Sequence, residues 1–168
     1  PGEYIKLNKK RIENIRETHS IEESCDLAIH TPIGTVLHTG DFKIDYTPID
    51  GKVMDLNRIA QLGEEGILLL MADSTNVERE GHSLSEKIIG ETLNRIISSA
   101  KGRVIVATFA SNIHRMQQIA DASMNYDRKI LFSGRSMESI SKVAIDLGYL
   151  HIPEESIISI EDLNKYPN

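Results

Sequence analysis

Gly66-Ile67-Leu68-Leu69-Leu70-Met71-Ala72-Asp73-Ser74-Thr75-Asn76 is the stretch at which the pattern of this chain changes. Its first part is a continuous apolar run, as expected of a strand buried on both faces, and its second part is an acid followed by small polar residues, as expected where a strand hands over to a loop. Downstream, Ser83-Leu84-Ser85-Glu86 reads as a capping box. The helix it opens would carry Leu84, Ile88, Ile89, Leu93, Ile96 and Ile97 on one stripe. A second unit pairs a strand over 103–109 with a helix over 111–124, and a third pairs a strand over 129–132 with a helix over 136–147 that Gly148 closes. Strand and helix alternating in this way predict a parallel sheet with right-handed crossovers, and 156–159 reads as the start of a further strand.

Upstream the period is different. Residues 4–7, 11–17, 26–30 and 34–38 read as short β segments, with Pro32-Ile33-Gly34 as the turn between the last two. The turn-rich passage 46–63, with a short helix over 55–62, marks the change from a β-rich part, 1–62, to an α/β part, 63–168. Composition bounds the rest. The chain has 168 residues, 40% hydrophobic and 26% charged, enough to bury a core, and no apolar stretch long enough to span a bilayer. A single cysteine, Cys25, forms no internal disulfide and implies a reducing cytoplasm, with the residue itself an ordinary strand position. A net charge of -6 excludes the global basic character of a nonspecific nucleic-acid binder, so any nucleic-acid contact must be local.

Two segments carry candidate chemistry. Thr18-His19-Ser20-Ile21-Glu22-Glu23-Ser24 and His38-Thr39-Gly40-Asp41-Phe42-Lys43 each place a metal-binding side chain at the end of an apolar run, and Gly40 lets the backbone turn just before the carboxylate. Taken singly, His19 reads as a strand-end histidine and Asp41 as a turn acid. Taken together, an imidazole and a carboxylate held by strand ends suit a dinuclear zinc site in which Asp41 bridges the ions. His38, three residues before Asp41, reads as structural or as support for a ligand. His30, His82 and His151 lack partners at ligand spacing. Lys43, beside Asp41, reads either as a neutraliser of phosphate or as a solvated loop lysine.

Asp73 closes its strand at the carboxyl edge of the sheet, where open α/β folds place ligands, or caps its own loop at the amides of residues 75 or 76. On the same expected edge lie Ser111-Asn112 and Ser133-Gly134-Arg135-Ser136. Hydroxyls, free helix amides and a guanidinium make a phosphate cradle there, although N-capping by Ser accounts for any one junction. His114 and Arg115, one turn into their helix, would extend the cradle or face solvent.

In this order the His19 and Asp41 segments, the Asp73 block, Thr108-Phe109-Ala110-Ser111-Asn112-Ile113-His114-Arg115 and Phe132-Ser133-Gly134-Arg135-Ser136-Met137 resemble the β-CASP nucleic-acid hydrolases of the metallo-β-lactamase superfamily, in their ribonuclease J branch. The resemblance covers nearly the whole chain. It implies the last part of a metallo-β-lactamase core, 1–62, joined to the first part of a β-CASP domain, 63–168. It implies His19 as a terminal ligand of one metal, Asp41 as the bridging carboxylate and Asp73 as the acid supporting a later histidine that protonates the leaving oxygen. The H-x-H-x-D-H segment of the superfamily is not in the chain, so the resemblance also implies an internal piece with an incomplete ligand set, inactive alone. Glu22-Glu23 stands where Pro-Asp is usual, a departure that bears on loop conformation. The implied parent is a cytoplasmic, homo-oligomeric endoribonuclease and 5′-exoribonuclease using two zinc ions, or manganese, on single-stranded RNA. A β-CASP nuclease acting on DNA and a non-catalytic polynucleotide-binding α/β module are the other readings of the same residues.

Overall fold

The structure, a computed structural model, describes residues 3–166. These fall into two compact units: the first runs to His19 and from Glu23 to Ser85, the second takes Ser20–Glu22 and the chain from Glu86 onward. The first unit is a five-stranded sheet in the order β1 (Tyr4–Leu7), β2 (Lys10–Arg16), β3 (Cys25–Thr31), β4 (Gly34–His38), β5 (Ile67–Met71). β1 to β4 form an antiparallel meander, and β5 returns parallel to β4 after the helix α1 (Leu56–Glu65). A parallel return needs such a crossover, and Asp55 starts it by accepting the Arg58 backbone N–H at 3.0 Å. The turn between β3 and β4 requires Gly34. Its φ is +144°, and a Cβ there would lie 2.8 Å from Leu68 Cβ on β5.

Strand alternation puts Ile15, Ala28 and Leu37 on one face, where Leu62 of α1 covers them and Ile59 and Ile67 pack against the edge. Fully burying one such side chain contributes about 1.5–3 kcal/mol. The same face also buries acids. Glu13, 3% exposed, accepts from Arg58 Nε at 2.6 Å and Nη2 at 3.0 Å, and lies 3.1 Å from His30 Nε2. The guanidinium bond, ahead of the histidine, holds the Glu13 carboxyl down at about 2. His30, which the sequence leaves without a role, thus has a structural place.

In the second unit α3 (Ile113–Asn125) and α4 (Arg135–Asp146) enclose a core of Ile113, Met116, Ala120, Ile130, Ala144, Leu150 and Ile152. α2 (Glu86–Ser99) lies against α3, where Gln118 Nε2 donates to the Glu86 carbonyl at 2.9 Å.

Several sequence expectations are corrected here. The run 66–71 packs with the first unit and not with the second, because β5 pairs with β4, and the compact units divide after Ser85. Nor is it buried on both faces: β5 is an edge strand, with Leu68, Leu69, Leu70 and Met71 each about half exposed. Its composition fits two-sided burial, but the described chain supplies a neighbour on one side only. The segment 103–109 is no strand, since no described segment pairs with it, and Ile105 and Phe109 are 90% and 83% exposed. Of the expected parallel sheet in this unit the described residues show a single parallel bridge, Ile130 to Ile157, which does join the segments 129–132 and 156–159. α2 begins at Glu86 itself, too late for the capping-box register, and Ser85 Oγ donates to the Thr47 carbonyl at 3.0 Å. Only Ile97 of its apolar stripe is fully buried.

Candidate metal centre

Three loops converge at one end of the first unit's sheet. β2 leads to His19, β4 to Asp41 and β5 to Asp73. Backbone bonds tie them: the Lys43 N–H donates to the Thr18 carbonyl at 2.9 Å, the Thr39 N–H to the Met71 carbonyl at 3.0 Å, and the Asp73 N–H to Thr39 Oγ1 at 3.1 Å. The first bond sets the His19 loop beside the Asp41 loop, and the other two set Asp73 beside both. Gly40 makes the turn with φ +60°, as expected of the residue before the carboxylate. His38 belongs to that turn, its Nδ1 accepting the Gly40 N–H at 2.9 Å, which fixes the acceptor nitrogen and leaves the ring exposed. Asp73 takes its bland role as well: Oδ1 accepts from the Thr75 backbone at 2.9 Å and from Thr75 Oγ1 at 2.6 Å. Those bonds, chiefly the hydroxyl's, lower the Asp73 pKa, and His19 adds a smaller lowering.

Beneath these loops the sequence hides what its motifs do not advertise. Glu17 and Asp26, 5% and 0% exposed, have carboxylate oxygens with no hydrogen-bond partner. Burial pushes Asp26 up to about 6 and Glu17 up to about 7, with Asp26 and Asp41 adding to the latter. Strand register could have signalled this arrangement. Asp26 faces Ile15 across β2 and β3, and Glu17 follows two residues after Ile15, so both acids join the core face. An imidazole and a carboxylate are donor types that zinc accepts, but among the described residues His19 and Asp41 join no group of three ligand atoms within 4.8 Å of one another.

The second unit answers the phosphate-cradle expectation residue by residue. Asn112 is the N-cap of α3, its Oδ1 accepting the Arg115 N–H at 2.9 Å, so its side chain serves the helix. Ser111, Ser133, Arg135 and Ser136 are exposed. Gly134 caps α4 with φ +104° and no side-chain cap, and its N–H donates to Glu138 Oε1 at 3.1 Å, so an internal carboxylate already sits at that helix start. His114 and Arg115 do not extend the cradle: His114 Nε2 lies 2.6 Å from Glu22 Oε1, and Arg115 Nε donates to Glu86 Oε2 at 3.1 Å. The departure at Glu22 therefore has a partner. Lys43 is engaged too, its Nζ donating to the Leu84 carbonyl at 2.5 Å.

Residues 101–168 match the family model described as the β-CASP domain of ribonuclease J. Ribonuclease J of Thermus thermophilus is 48% identical over 100% of the chain and 29% of its own length. By sequence, the chain is homologous to a segment of ribonuclease J. Ribonuclease J of Synechocystis is 44% identical over 100% of the chain and 26% of its own length, and that of Helicobacter pylori strain J99 is 45% identical over 98% and 25%. The chain thus spans between a quarter and a third of these three ribonuclease J sequences. A crystal structure of a protein of unknown function from Enterococcus faecalis V583 superposes with a TM-score of 0.66 at 16% identity, covering 99% of this chain and 42% of that one, and shares the fold. No helix among the described residues is long and apolar enough to cross a membrane.

Proposed function

We propose that the chain is part of a metal-dependent RNA phosphodiester hydrolase with endonuclease and 5′-exonuclease activity. The residues to Ser85 would belong to a metallo-β-lactamase-type core, and those after it to the β-CASP domain. The observation that carries this reading is the convergence of His19, Asp41 and Asp73 on one end of a sheet in a chain 44–48% identical to ribonuclease J over its whole length. Each residue then has a role. His19 and Asp41 would hold zinc, or manganese, and Asp41 would bridge. Two bound ions supply Lewis acidity and charge neutralisation at a phosphodiester. Asp73, kept ionised by Thr75, would orient a histidine that gives its proton to the leaving oxygen, because a carboxylate neighbour keeps imidazole charged and in place. Ser111, Ser133, Arg135 and Ser136 would touch the RNA backbone, whereas the Gly134 N–H is taken by Glu138. Asn112 is spent on the fold, its side chain on the helix cap and its N–H on the Phe109 carbonyl at 3.1 Å. Contacts of this kind position a single strand and read little sequence. Free Cys25 supports a cytoplasmic setting, and the resemblance supports a homo-oligomeric parent.

The test uses the full-length parent. Metal analysis is expected to return about two zinc or manganese ions per site, and RNA is expected to be cut in preference to DNA of the same sequence. Absence of stoichiometric metal would favour a binding module, and preference for DNA would favour a repair-type nuclease. The chain alone, with two of the ligands, is expected to show no turnover of labelled RNA with added zinc or manganese. A second measurement separates backbone contact from capping. Arg135→Ala in the parent is expected to weaken binding of two unrelated single strands alike and to lower the salt slope by about 0.7. A lower melting temperature at constant affinity and slope would make Arg135 structural.

A further inference from the structure

The end of the first unit's sheet opposite His19 and Asp41 is cationic. Lys6, Lys9, Lys10 and Arg11 lie in the β1–β2 hairpin, in a stretch from Tyr4 to Ile12 that contains no acid, although the chain as a whole carries a net charge of -6. Together with His30 and Pro32 they line an open groove of about 420 Å³. Strand pairing forces them together. Lys6 stands directly across from Arg11, and Arg11 directly across from His30, so the three project from the same face in one row. Like charges directly opposed on neighbouring strands are destabilising, and a solvated charge run has no need of that register.

Among the described residues only His30 of the row faces a carboxylate, Glu13 at 3.1 Å. Among the described residues no carboxylate pairs with Lys6, Lys9, Lys10 or Arg11; Arg11 lies instead over the Tyr4 ring at 4.5 Å from its centroid. His30 is held from behind by Glu13 and by Thr35 Oγ1, 3.2 Å from its Nδ1, which fixes the inner wall. The groove is also remote from the converging loops. From Lys10 to Arg16, β2 alone spans roughly 20 Å.

We propose that this hairpin groove is a second nucleic-acid contact, which holds the phosphodiester backbone of single-stranded RNA away from the cleavage loops. The choice of RNA as the polyanion rests on the nuclease reading above; the groove itself rests on charge and register. A row of cations beside an aromatic ring is the composition that tracks a single strand by its backbone, with little preference among bases.

The probe is a fluorescein-labelled 12-nucleotide oligouridylate, titrated with the 168-residue chain over a potassium chloride series from 50 to 200 mM. Lys9→Glu/Lys10→Glu is expected to weaken binding at least tenfold at 50 mM and to lower the salt slope by about 1.4, at about 0.7 per phosphate contact. Lys101→Glu/Lys142→Glu changes the net charge equally at exposed positions outside the groove and is expected to change affinity less than twofold. Should the hairpin variant melt early, Lys6→Gln alone, expected to cost threefold or more, decides in its place. Equal losses in the two double variants, unchanged binding in the hairpin variant, or no binding by the wild-type chain at 50 mM would each overturn the proposal. Those outcomes leave the nuclease reading standing, because that reading is judged by metal content and cleavage in the parent. Conversely, a parent that carries no metal while hairpin-sensitive binding persists would sink the nuclease and spare the groove.

Discussion

Asp41→Ala in the full-length parent is expected to lower RNA cleavage by roughly 10³-fold or more, while His38→Ala is expected to lower it no more than about tenfold. Loss of a ligand removes charge stabilisation worth several kcal/mol at the reacting phosphate, and each 1.36 kcal/mol is about a factor of ten in rate. Loss of a residue that supports a ligand's loop costs about 10- to 100-fold, and His38 is at the mild end because it is exposed and bonds only the Gly40 amide. Without that bond the Gly40 turn loosens, but the Asp73 amide still holds Thr39 Oγ1, so the Asp41 loop keeps one of its ties. Metal content should follow the same order, dropping sharply in Asp41→Ala and staying near wild type in His38→Ala. Equal losses in rate and metal would mean that His38, not the turn it supports, reaches the ion.

The contrast between these two residues shows what a sequence can and cannot disclose. The His19 and Asp41 loops were legible as strand-end loops because their signals are local: an apolar run, a turn glycine and a polar side chain lie within a few positions. The meander β1 to β4 was legible for the same reason, as alternation and turn residues sit next to one another in the chain. β5 was not. A continuous apolar run records how much burial a strand tolerates, but not which neighbour provides it, and its partner β4 lies some 30 residues upstream, beyond α1. The segment 103–109 shows the same gap more sharply, since strand composition without a pairing partner leaves the backbone unpaired. At the helix starts the sequence favours phosphate contact over capping, whereas the structure gives the Asn112 side chain to capping and places Glu138 at the Gly134 amide. The buried acids were missed altogether, because Glu13, Glu17 and Asp26 look like ordinary surface charges until register puts them on the core face.

Those acids carry the second large expectation, a pair of substitutions with opposite signs. Glu13 has its pKa lowered from 4.5 to about 2, chiefly by Arg58, so its contribution to stability is complete above pH 4.5 and disappears as pH falls through 2. Glu13→Gln should therefore cost roughly 3 kcal/mol at pH 7, aggravated by a guanidinium left without its charge partner, and that cost should fade toward pH 2. Asp26 is the reverse. Burial raises its pKa from 3.8 to about 6, so the folded state suffers no penalty below pH 3.8 and the full penalty above pH 6. Asp26→Asn, nearly the same shape without the charge, should stabilise the first unit by on the order of 2 kcal/mol at pH 8, and the gain should vanish near pH 4. Native-state amide exchange across β2 and β3 reads both, because it isolates this unit from the unfolding of the other. Two curves that bend in opposite directions with pH are the signature. If Asp26→Asn is instead less stable than wild type at pH 8, then a cation or a proton donor satisfies that carboxylate in solution, and the acids beneath the His19 and Asp41 loops form part of the ion's own surroundings.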